Sequence, residues 1–409
     1  MEKYEALKSC VRSGTIGRRD FIKCAGVAAG VIAAGNSPSI NSALGTIKIT
    51  NVETIVLKFP TSRPIADAIH VFSDRGGVVT KVRTDAGITG WGYTYFGMGP
   101  GSPKTLKHLI DLELAPVAIG QDPFASRKVR QDLWRATEYH GVGGITYFGI
   151  TAIDMALWDI CGKAVSLPVH KLLGSCHDRM PAYGMVGWYY STEGEFEQSC
   201  ASAVEEGFTA VKIKVGVGTL QEDLERIKKA RHVVGTNVRL MVDANQSLSV
   251  NEAIRRGKAY EDFDIFWFEE PLPPHEKDGY ALLTEALDIP IATGENEYTR
   301  YAFAELIRRR AVDIVQPDLR RTGGVTEWLE VGAIADASGI PLASHGGGSA
   351  QLNILCAIPN AIFMESGSLK GQSNRFEKLI MKDGKILAPK MPGLGSEMTS
   401  QYIERYRIG

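Results

Sequence analysis

The sequence predicts an α/β protein in which a (β/α) barrel follows a smaller α+β domain. Three observations indicate this architecture. The chain has 409 residues, which is enough for two domains with full cores. After residue 165, eight short apolar runs alternate with helical segments at a spacing of roughly 20–30 residues, as in a parallel barrel. Before that point, strand-like runs follow one another without helices between them, which indicates an antiparallel meander.

The first 45 residues form a segment that differs from the rest of the chain. Arg18 and Arg19 precede an apolar run from Ala25 to Gly35, which is the pattern of a twin-arginine export signal. A basic N-terminal helix is the alternative interpretation. The apolar run is too short to span a bilayer. We therefore expect export to the periplasm or beyond, cleavage within residues 33–45, and a mature form that lies outside the membrane.

Residues 46–165 are predicted to form the α+β domain. Strands are predicted within residues 49–57, 77–82 and 90–95, and helices within residues 104–114, 123–138 and 145–162. In the last of these helices, apolar residues recur on one face. This pattern is expected where a helix packs against a sheet.

Residues 166–370 are predicted to form the barrel. The strand-like runs cover residues 182–186, 210–213, 240–242, 265–268, 289–292, 314–316, 342–344 and 361–364. An open doubly wound sheet is the alternative, but such sheets usually have fewer strands. Residues 371–409 return to a hairpin-like pattern, and we expect them to pack on the first domain.

The active site of such a barrel lies at the C-terminal ends of its strands, so the polar residues that end each strand are the candidates. The second strand ends with Lys212 and Lys214, which point to the same side. Two ammonium groups side by side and partly desolvated are expected to have lowered pKa values, so either lysine is a candidate base. A surface strand with alternating lysines is the alternative.

The next three strands each end in an acid. Asp243, Glu269 and Glu295 follow one another at an equal spacing of 26 residues. Three converging carboxylates would repel one another without a cation between them, and an all-oxygen ligand set suits Mg²⁺. Three unrelated surface acids would not explain the equal spacing. Asn245 and Glu270 are expected to orient these ligands by hydrogen bonds, since Asn245 shares a strand face with Asp243.

The remaining strand ends supply a second candidate base. Asp318 ends the sixth strand and His345 the seventh, so a carboxylate can fix the tautomer of the imidazole and raise its basicity. Glu365 ends the eighth strand and is an inward acid or, alternatively, part of a salt bridge at the rim. A lysine base, a histidine base and a metal between them suit removal of the proton α to a carboxylate through an enediolate.

These residues resemble the mandelate racemase subgroup of the enolase superfamily, as do the segments Thr151–Asp159 and Pro392–Gly395. The resemblance covers nearly all of the chain after residue 45. It implies a (β/α)₇β modified TIM barrel with an α+β capping domain, one Mg²⁺ per subunit, and a homo-oligomer. It also implies that Lys214 is the base, that Lys212 lies near the substrate carboxylate, and that Glu365 is a hydrogen-bonding acid opposite the metal.

Several reactions start from the same enediolate. Dehydration of a sugar acid, an aldonate or aldarate, to a 2-keto-3-deoxy acid is the commonest activity in the subgroup and is our expectation. The segments 90–102 and 140–145 also resemble cycloisomerases of anhydro-sugar acids, and racemisation or epimerisation of a 2-hydroxy acid is a further alternative. Specificity is expected from the loops 67–74 and 93–102. His70 and Tyr95 in these loops, and Trp188 at the end of the first barrel strand, are the candidate substrate contacts, although they could equally be packing residues.

Composition excludes some other functions. The net charge of −1 gives no reason to expect nucleic-acid binding, so the expected partner is a small carboxylate. A binding protein built on a barrel that has lost its activity is a further alternative. The complete set of candidate bases and metal ligands argues against it.

Overall fold

An antiparallel three-stranded sheet is the first element in this computed structural model, which describes residues 47–95, 101–189, 192, 194–370, 376 and 378–408. The predicted export segment and residues 96–100 lie outside the described residues. The strands are β1 (Ile49–Ala66), β2 (Val71–Thr84) and β3 (Thr89–Tyr95), paired in that order. This is the meander that the sequence predicts.

Five α-helices lie between this sheet and the barrel in the described part of the chain, and the first, second and fourth of them pack against the sheet. They are α1 (Gly101–Leu109), α2 (Ala115–Ala118), α3 (Ser126–Ala136), α4 (Ile145–Ala164) and the short α5 (Val169–Leu172). Helix α4 approaches β3 so closely that a Cβ atom at Gly92 would lie 1.8 Å from the carbonyl oxygen of Ala152. Only glycine permits this approach.

Eight parallel strands form the closed barrel. They are β4 (Arg179–Met185), β5 (Ala210–Lys214), β6 (Arg239–Asp243), β7 (Ile265–Glu269), β8 (Ile291–Thr293), β9 (Ile314–Val315), β10 (Leu342–Ala343) and β11 (Ala361–Ser366). Neighbours in sequence are neighbours in the barrel, and β11 pairs with β4 to close it. The predicted barrel is therefore confirmed, and an open sheet is excluded.

One α-helix follows each of the first seven barrel strands in the described part of the chain. These helices are α6 (Glu195–Glu205), α7 (Leu220–Val234), α8 (Val250–Tyr260), α9 (Lys277–Ala286), α10 (Arg300–Arg308), α11 (Gly324–Ala337) and α12 (Ser349–Leu355). Helix α7 shows why they begin where they do. Thr219 and Glu222 form a capping box in which each side chain accepts a hydrogen bond from the backbone of the other.

The C-terminal segment contacts both the barrel and the first domain. Its hairpin, β12 (Met381–Lys382) and β13 (Lys385–Leu387), pairs antiparallel with β4. Its helix α13 (Ser400–Tyr406) places aromatic rings against Phe59 of β1. Among the described residues, no helix combines the length and apolar character needed to cross a bilayer.

Candidate active site

The floor of the candidate site is a layer of buried side chains inside the barrel, one from each strand. They are Tyr183, Ala210, Met241, Trp267, Ala292, Ile314, Ala343 and Phe363. Because side chains alternate between the two faces of a strand, the residue two positions further on also points inward, one layer nearer the carboxyl end. That second layer is largely polar. It contains Lys212, Asp243, Glu269, Gln316, His345 and Glu365.

The two lysines of β5 pair with carboxylates from three other strands. Lys214 Nζ lies 2.6 Å from Asp243 Oδ2. Lys212 Nζ contacts Glu269 Oε1 and lies 3.0 Å from Glu365 Oε2. Both ammonium groups are buried. The structure therefore brings these five predicted site residues into one charged cluster.

The expected lowering of the lysine pKa values is wrong for this structure. Burial is the largest single effect and lowers the pKa of Lys214, but the charge and hydrogen bond of Asp243 together with the charge of Glu295 raise it, and the net pKa is raised. Burial is also the largest single effect on Lys212, yet Glu269 and Glu365 help to raise its pKa well above the usual value. The sequence showed the two like charges but not the acids that other strands bring to them.

Glu269 is held by donors from three strands. Its Oε2 accepts hydrogen bonds from Trp267 Nε1 at 3.0 Å and from Gln316 Nε2 at 2.7 Å, while Lys212 binds Oε1. Burial raises the pKa of Glu269 to about 7, an effect that Lys212 only partly offsets. The pKa of Asp243 is lowered despite burial because both lysines face it.

The three predicted metal ligands do not enclose a single point in this structure. Within the described residues, no three His, Cys, Asp or Glu side chains are spaced to surround a metal ion. The physical reason is that Lys212 and Lys214 lie against Asp243 and Glu269 and balance their charges. Glu295, at the end of β8, turns instead toward Arg321 and His345 at 3.2 Å from each.

The chemistry of the donors nevertheless fits a hard divalent cation. Asp243, Glu269, Glu270 and Glu295 are all buried and act on one another's charges, so a cation between them would relieve their repulsion. Every donor is an oxygen, including Oδ1 of Asn245, which is buried and has no hydrogen-bond partner among the described residues. Oxygen donors without His or Cys suit Mg²⁺.

The expectation that Asp243 and Asn245 lie on one strand is wrong. Strand β6 ends at Asp243, and Asn245 has a φ of 42°, so the alternation of a strand no longer applies. Asn245 instead donates its backbone N–H to Asp243 Oδ1 at 2.9 Å. Glu270 accepts a hydrogen bond from Asn296 Nδ2 at 2.9 Å. Burial, reinforced by Glu295, raises the pKa of Glu270 well above its usual value.

His345 and Asp318 form a close pair. His345 Nδ1 lies 2.7 Å from Asp318 Oδ2, and the backbones of the two residues form a parallel bridge. Burial is the largest single effect and lowers the pKa of His345, but Glu295, Asp318 and Glu365 together raise the net value. Despite burial, Arg320 and His345 hold the pKa of Asp318 well below its usual range. The pair therefore has the geometry of a carboxylate that orients an imidazole.

Two family models match the chain over this architecture. The N-terminal domain model of mandelate racemase / muconate lactonizing enzyme matches residues 51–174, and the enolase C-terminal domain-like model matches residues 195–402. The chain belongs to the mandelate racemase / muconate lactonizing enzyme family of the enolase superfamily. The resemblance that the sequence motifs indicated is thus confirmed.

Relatives in this family include both dehydratases and cycloisomerases. Arabinonate dehydratase of Saccharolobus solfataricus is 35% identical over 340 residues, 81% of this chain and 90% of the relative. The 3,6-anhydro-alpha-L-galactonate cycloisomerase of Streptomyces coelicolor is 30% identical over 362 residues, 88% of this chain and 100% of the relative. The crystal structure of an enolase from Bradyrhizobium complexed with magnesium and mandelic acid has a TM-score of 0.82 at 33% identity. It covers 90% of this chain and 100% of that chain.

Arg320, Arg321 and Tyr183 also lie at the site but were not predicted from the sequence. Arg320 binds Asp318 through Nε at 2.9 Å and through one terminal nitrogen at 2.7 Å. Arg321 lies 3.2 Å from Glu295 Oε1. Arg320 and Arg321 lie two and three residues after Asp318, so their place at the end of this strand was a signal for them in the sequence. Tyr183, which donates to Glu365 Oε2 at 2.9 Å, carried no such signal because its position is an ordinary core position.

The three candidate substrate contacts differ in their placement. The ring of Trp188 lies 5.0 Å from Lys214 Nζ, which puts it at the wall of the site. His70 is half-exposed and lies 3.3 Å from the carboxylate of Asp67. Tyr95 ends β3, and its side chain lies outside the described part of the structure. A cavity of about 220 Å³ between β4 and α6 includes Trp188 but none of the charged residues at the strand ends of the site.

Proposed function

We propose that this protein removes the proton α to the carboxylate of a sugar acid and, with Mg²⁺, dehydrates the acid to a 2-keto-3-deoxy acid. The observation that carries the proposal is the placement of two candidate bases on different sides of one carboxylate cluster. Lys214 ends β5, and the His345–Asp318 pair lies beyond β9 and β10. The similarity to arabinonate dehydratase supports dehydration as the outcome.

Asp243, Glu269 and Glu295 would hold the metal, and Asn245 and Glu270 would orient them. When bound, the ion supplies positive charge to the oxygens of the enediolate. Lys212 Nζ hydrogen-bonds a carboxylate oxygen of the substrate, as its buried position beside Glu269 allows.

Proton transfer belongs to Lys214 and His345. Lys214 Nζ takes the α proton, and His345 Nε2 gives a proton to the departing β-hydroxyl, which leaves as water. The enol that remains becomes the 2-keto acid. Asp243 raises the pKa of Lys214 only while its carboxylate is free to pair with the ammonium group. Once that carboxylate is engaged elsewhere, burial becomes the main effect and lowers the lysine pKa.

Cycloisomerisation is the second candidate, because the match to the Streptomyces coelicolor cycloisomerase covers the full length of that relative. Incubation with a library of aldonates, aldarates and anhydro-sugar acids in the presence of Mg²⁺ separates the two. Semicarbazide detects 2-keto products, and incubation in D₂O shows exchange at the α carbon. Keto-acid release from open-chain acids supports dehydration. Exchange without keto product from those acids supports an isomerase. If no member of the library gives either a keto product or exchange, the whole proposal is contradicted.

We also propose that the enzyme acts outside the cytoplasm and as a homo-oligomer. The paired arginines at Arg18 and Arg19 support export, and the family resemblance supports an oligomer. The balanced net charge favours a small carboxylate over a nucleic acid as the partner.

A further inference from the structure

Among the described residues, one cation beside the site has no carboxylate partner. Arg75 lies on β2 of the capping domain, and its Nε is buried without a hydrogen-bond partner in the described part of the chain. The other cations of the site are paired: Lys212, Lys214, Arg320 and Arg321 each lie within 3.2 Å of a carboxylate oxygen. Among the described residues, Arg75 forms no salt bridge.

Arg75 is partly buried beside the site. Its Cζ lies 5.7 Å from the ring of Trp188, and the same ring lies 5.0 Å from Lys214 Nζ. The distance from Arg75 Cζ to Lys214 Nζ therefore cannot exceed the sum of these two distances. Phe72, on the same strand, packs against the guanidinium at 5.1 Å. Burial and the charge of Arg320 lower the pKa of Arg75.

The nearby carboxylates are already occupied. Asp67 Oδ1 accepts backbone hydrogen bonds from Ile69 and His70. Glu365 Oε2 binds Lys212 and Tyr183. Both acids act on the charge of Arg75, but neither pairs with it. A buried N–H donor without a hydrogen-bond partner is costly, so its retention at Arg75 needs an explanation such as a ligand.

We infer that Arg75 binds the second carboxylate of the substrate, so that the preferred substrates are aldarates, which carry an acid at each end, rather than aldonates. This inference rests on the proposed function and names its substrate class. A guanidinium presents a planar pair of N–H donors that matches a carboxylate and is a poor match for a neutral hydroxymethyl group. The end carbons of a six-carbon chain lie roughly 6 Å apart, from five bonds of about 1.5 Å in a zigzag. Trp188, whose ring contacts both Lys214 Nζ and Arg75 Cζ, would then lie along the carbon chain of the substrate.

The test compares matched substrates in matched variants. Rates of 2-keto acid formation are measured with Mg²⁺ for six-carbon aldarates, for the aldonates of the same configuration, such as galactarate and galactonate, and for the 6-phosphorylated aldonates. The variants are Arg75→Met, Arg75→Lys and the control Arg83→Met. Arg83 lies on the same strand but is exposed and pairs with Glu53 at 2.7 Å.

The expected result is a wild-type preference for an aldarate that Arg75→Met loses. Its kcat/KM for the diacid should fall by about 100-fold or more, while turnover of the aldonate changes less than about threefold. The kcat/KM of Arg75→Lys for the diacid should lie between those of Arg75→Met and the wild type. Arg83→Met should match the wild type. Turnover of the aldonate also shows that the variant is folded. If Arg75→Met fails to fold, the ratio of kcat/KM for the aldarate to kcat/KM for the aldonate in Arg75→Lys, compared with the wild type, tests the inference.

Three results would overturn the inference. They are a wild-type preference for an aldonate, a preference for a phosphorylated aldonate, and an equal loss on both substrate types in a folded Arg75 variant. The first two leave the proposed dehydration intact. If the wild type releases no keto acid from any substrate and exchanges no α proton, the proposed function fails and the inference fails with it.

Discussion

Lys212 determines the charge balance of the site. Its buried ammonium group lies against carboxylates from β6, β7 and β11 and supplies positive charge to all three. Cations that share the same acids compete for them. Binding of Mg²⁺ is therefore expected to depend on the acids that the two lysines now hold, with Asp243 and Glu269 first among them.

We predict that Mg²⁺ raises the unfolding temperature of the wild type and that Asp243→Asn removes this rise. An ion at 100 times its dissociation constant should stabilise the fold by about 2.7 kcal/mol. Scanning calorimetry in Mg²⁺ and in EDTA measures the effect. The control variant is Asp288→Asn, which changes an exposed acid beyond α9. Its unfolding temperature should respond to Mg²⁺ like that of the wild type. An equal rise in Asp243→Asn would contradict the assigned ligand.

The two bases should be separable by exchange experiments. In His345→Asn, dehydration should fall by about 10²–10⁴-fold because no acid protonates the leaving hydroxyl, while deuterium still enters the α carbon through Lys214. In Lys214→Ala, both dehydration and exchange should be lost. Mass spectrometry of recovered substrate and the semicarbazide assay give the two readouts. The exposed His275→Asn variant serves as the control, and loss of exchange in His345→Asn would assign proton removal to the histidine.

At the scale of elements, apolar runs predict the barrel well because each strand is buried on both faces. The polar layer was predictable for the same reason: a residue two positions after a core residue points inward as well, as Asp243 does after Met241. Two things were not predictable. The sign of the lysine pKa shifts depends on acids from other strands, and Arg75 reaches the site only because the capping sheet folds over the barrel.

Helix α4 joins the capping domain to the barrel through a buried acid. Asp154 accepts hydrogen bonds from the backbone N–H of Thr326 at 3.0 Å and from its hydroxyl at 2.5 Å, at the N-terminus of α11. The carboxylate therefore caps a barrel helix from another domain. Asp154 is fully buried, and burial raises its pKa to about 7.

This pKa makes stability depend on pH in a defined direction. Between pH 4 and 7 folded Asp154 keeps a proton that the unfolded chain has released, so the free energy of unfolding falls by about 1.4 kcal/mol per pH unit. Above pH 7 the contribution is constant. Asp154→Asn cannot titrate, so its stability relative to the wild type should rise across this interval. Urea unfolding at several pH values measures the difference, and a difference independent of pH would show that Asp154 is ionised throughout.

At the scale of the whole molecule, the site exists only after the full chain has folded. Its residues extend from Arg75 to Glu365 and come from the capping sheet and from most of the barrel strands, so no fragment contains it. The cysteines Cys161, Cys200 and Cys356 are buried free thiols, which is compatible with folding in a reducing compartment. A protein of this kind is suited to an export route that carries folded chains.

We therefore predict that replacing Arg18 and Arg19 together with lysine keeps the enzyme folded but prevents export. Twin-arginine signals are recognised by a receptor through the arginine pair, so the same charge on lysine should not substitute. Cell fractionation of a bacterial host, with activity and immunoblot of each fraction, measures the distribution. The wild type should appear outside the cytoplasm in a shortened form, and the double variant should accumulate inside at full length with equal specific activity. Replacing Lys3 and Lys8 with arginine is the control and should leave export unchanged, and export of the double variant would identify the segment as an ordinary N-terminal helix.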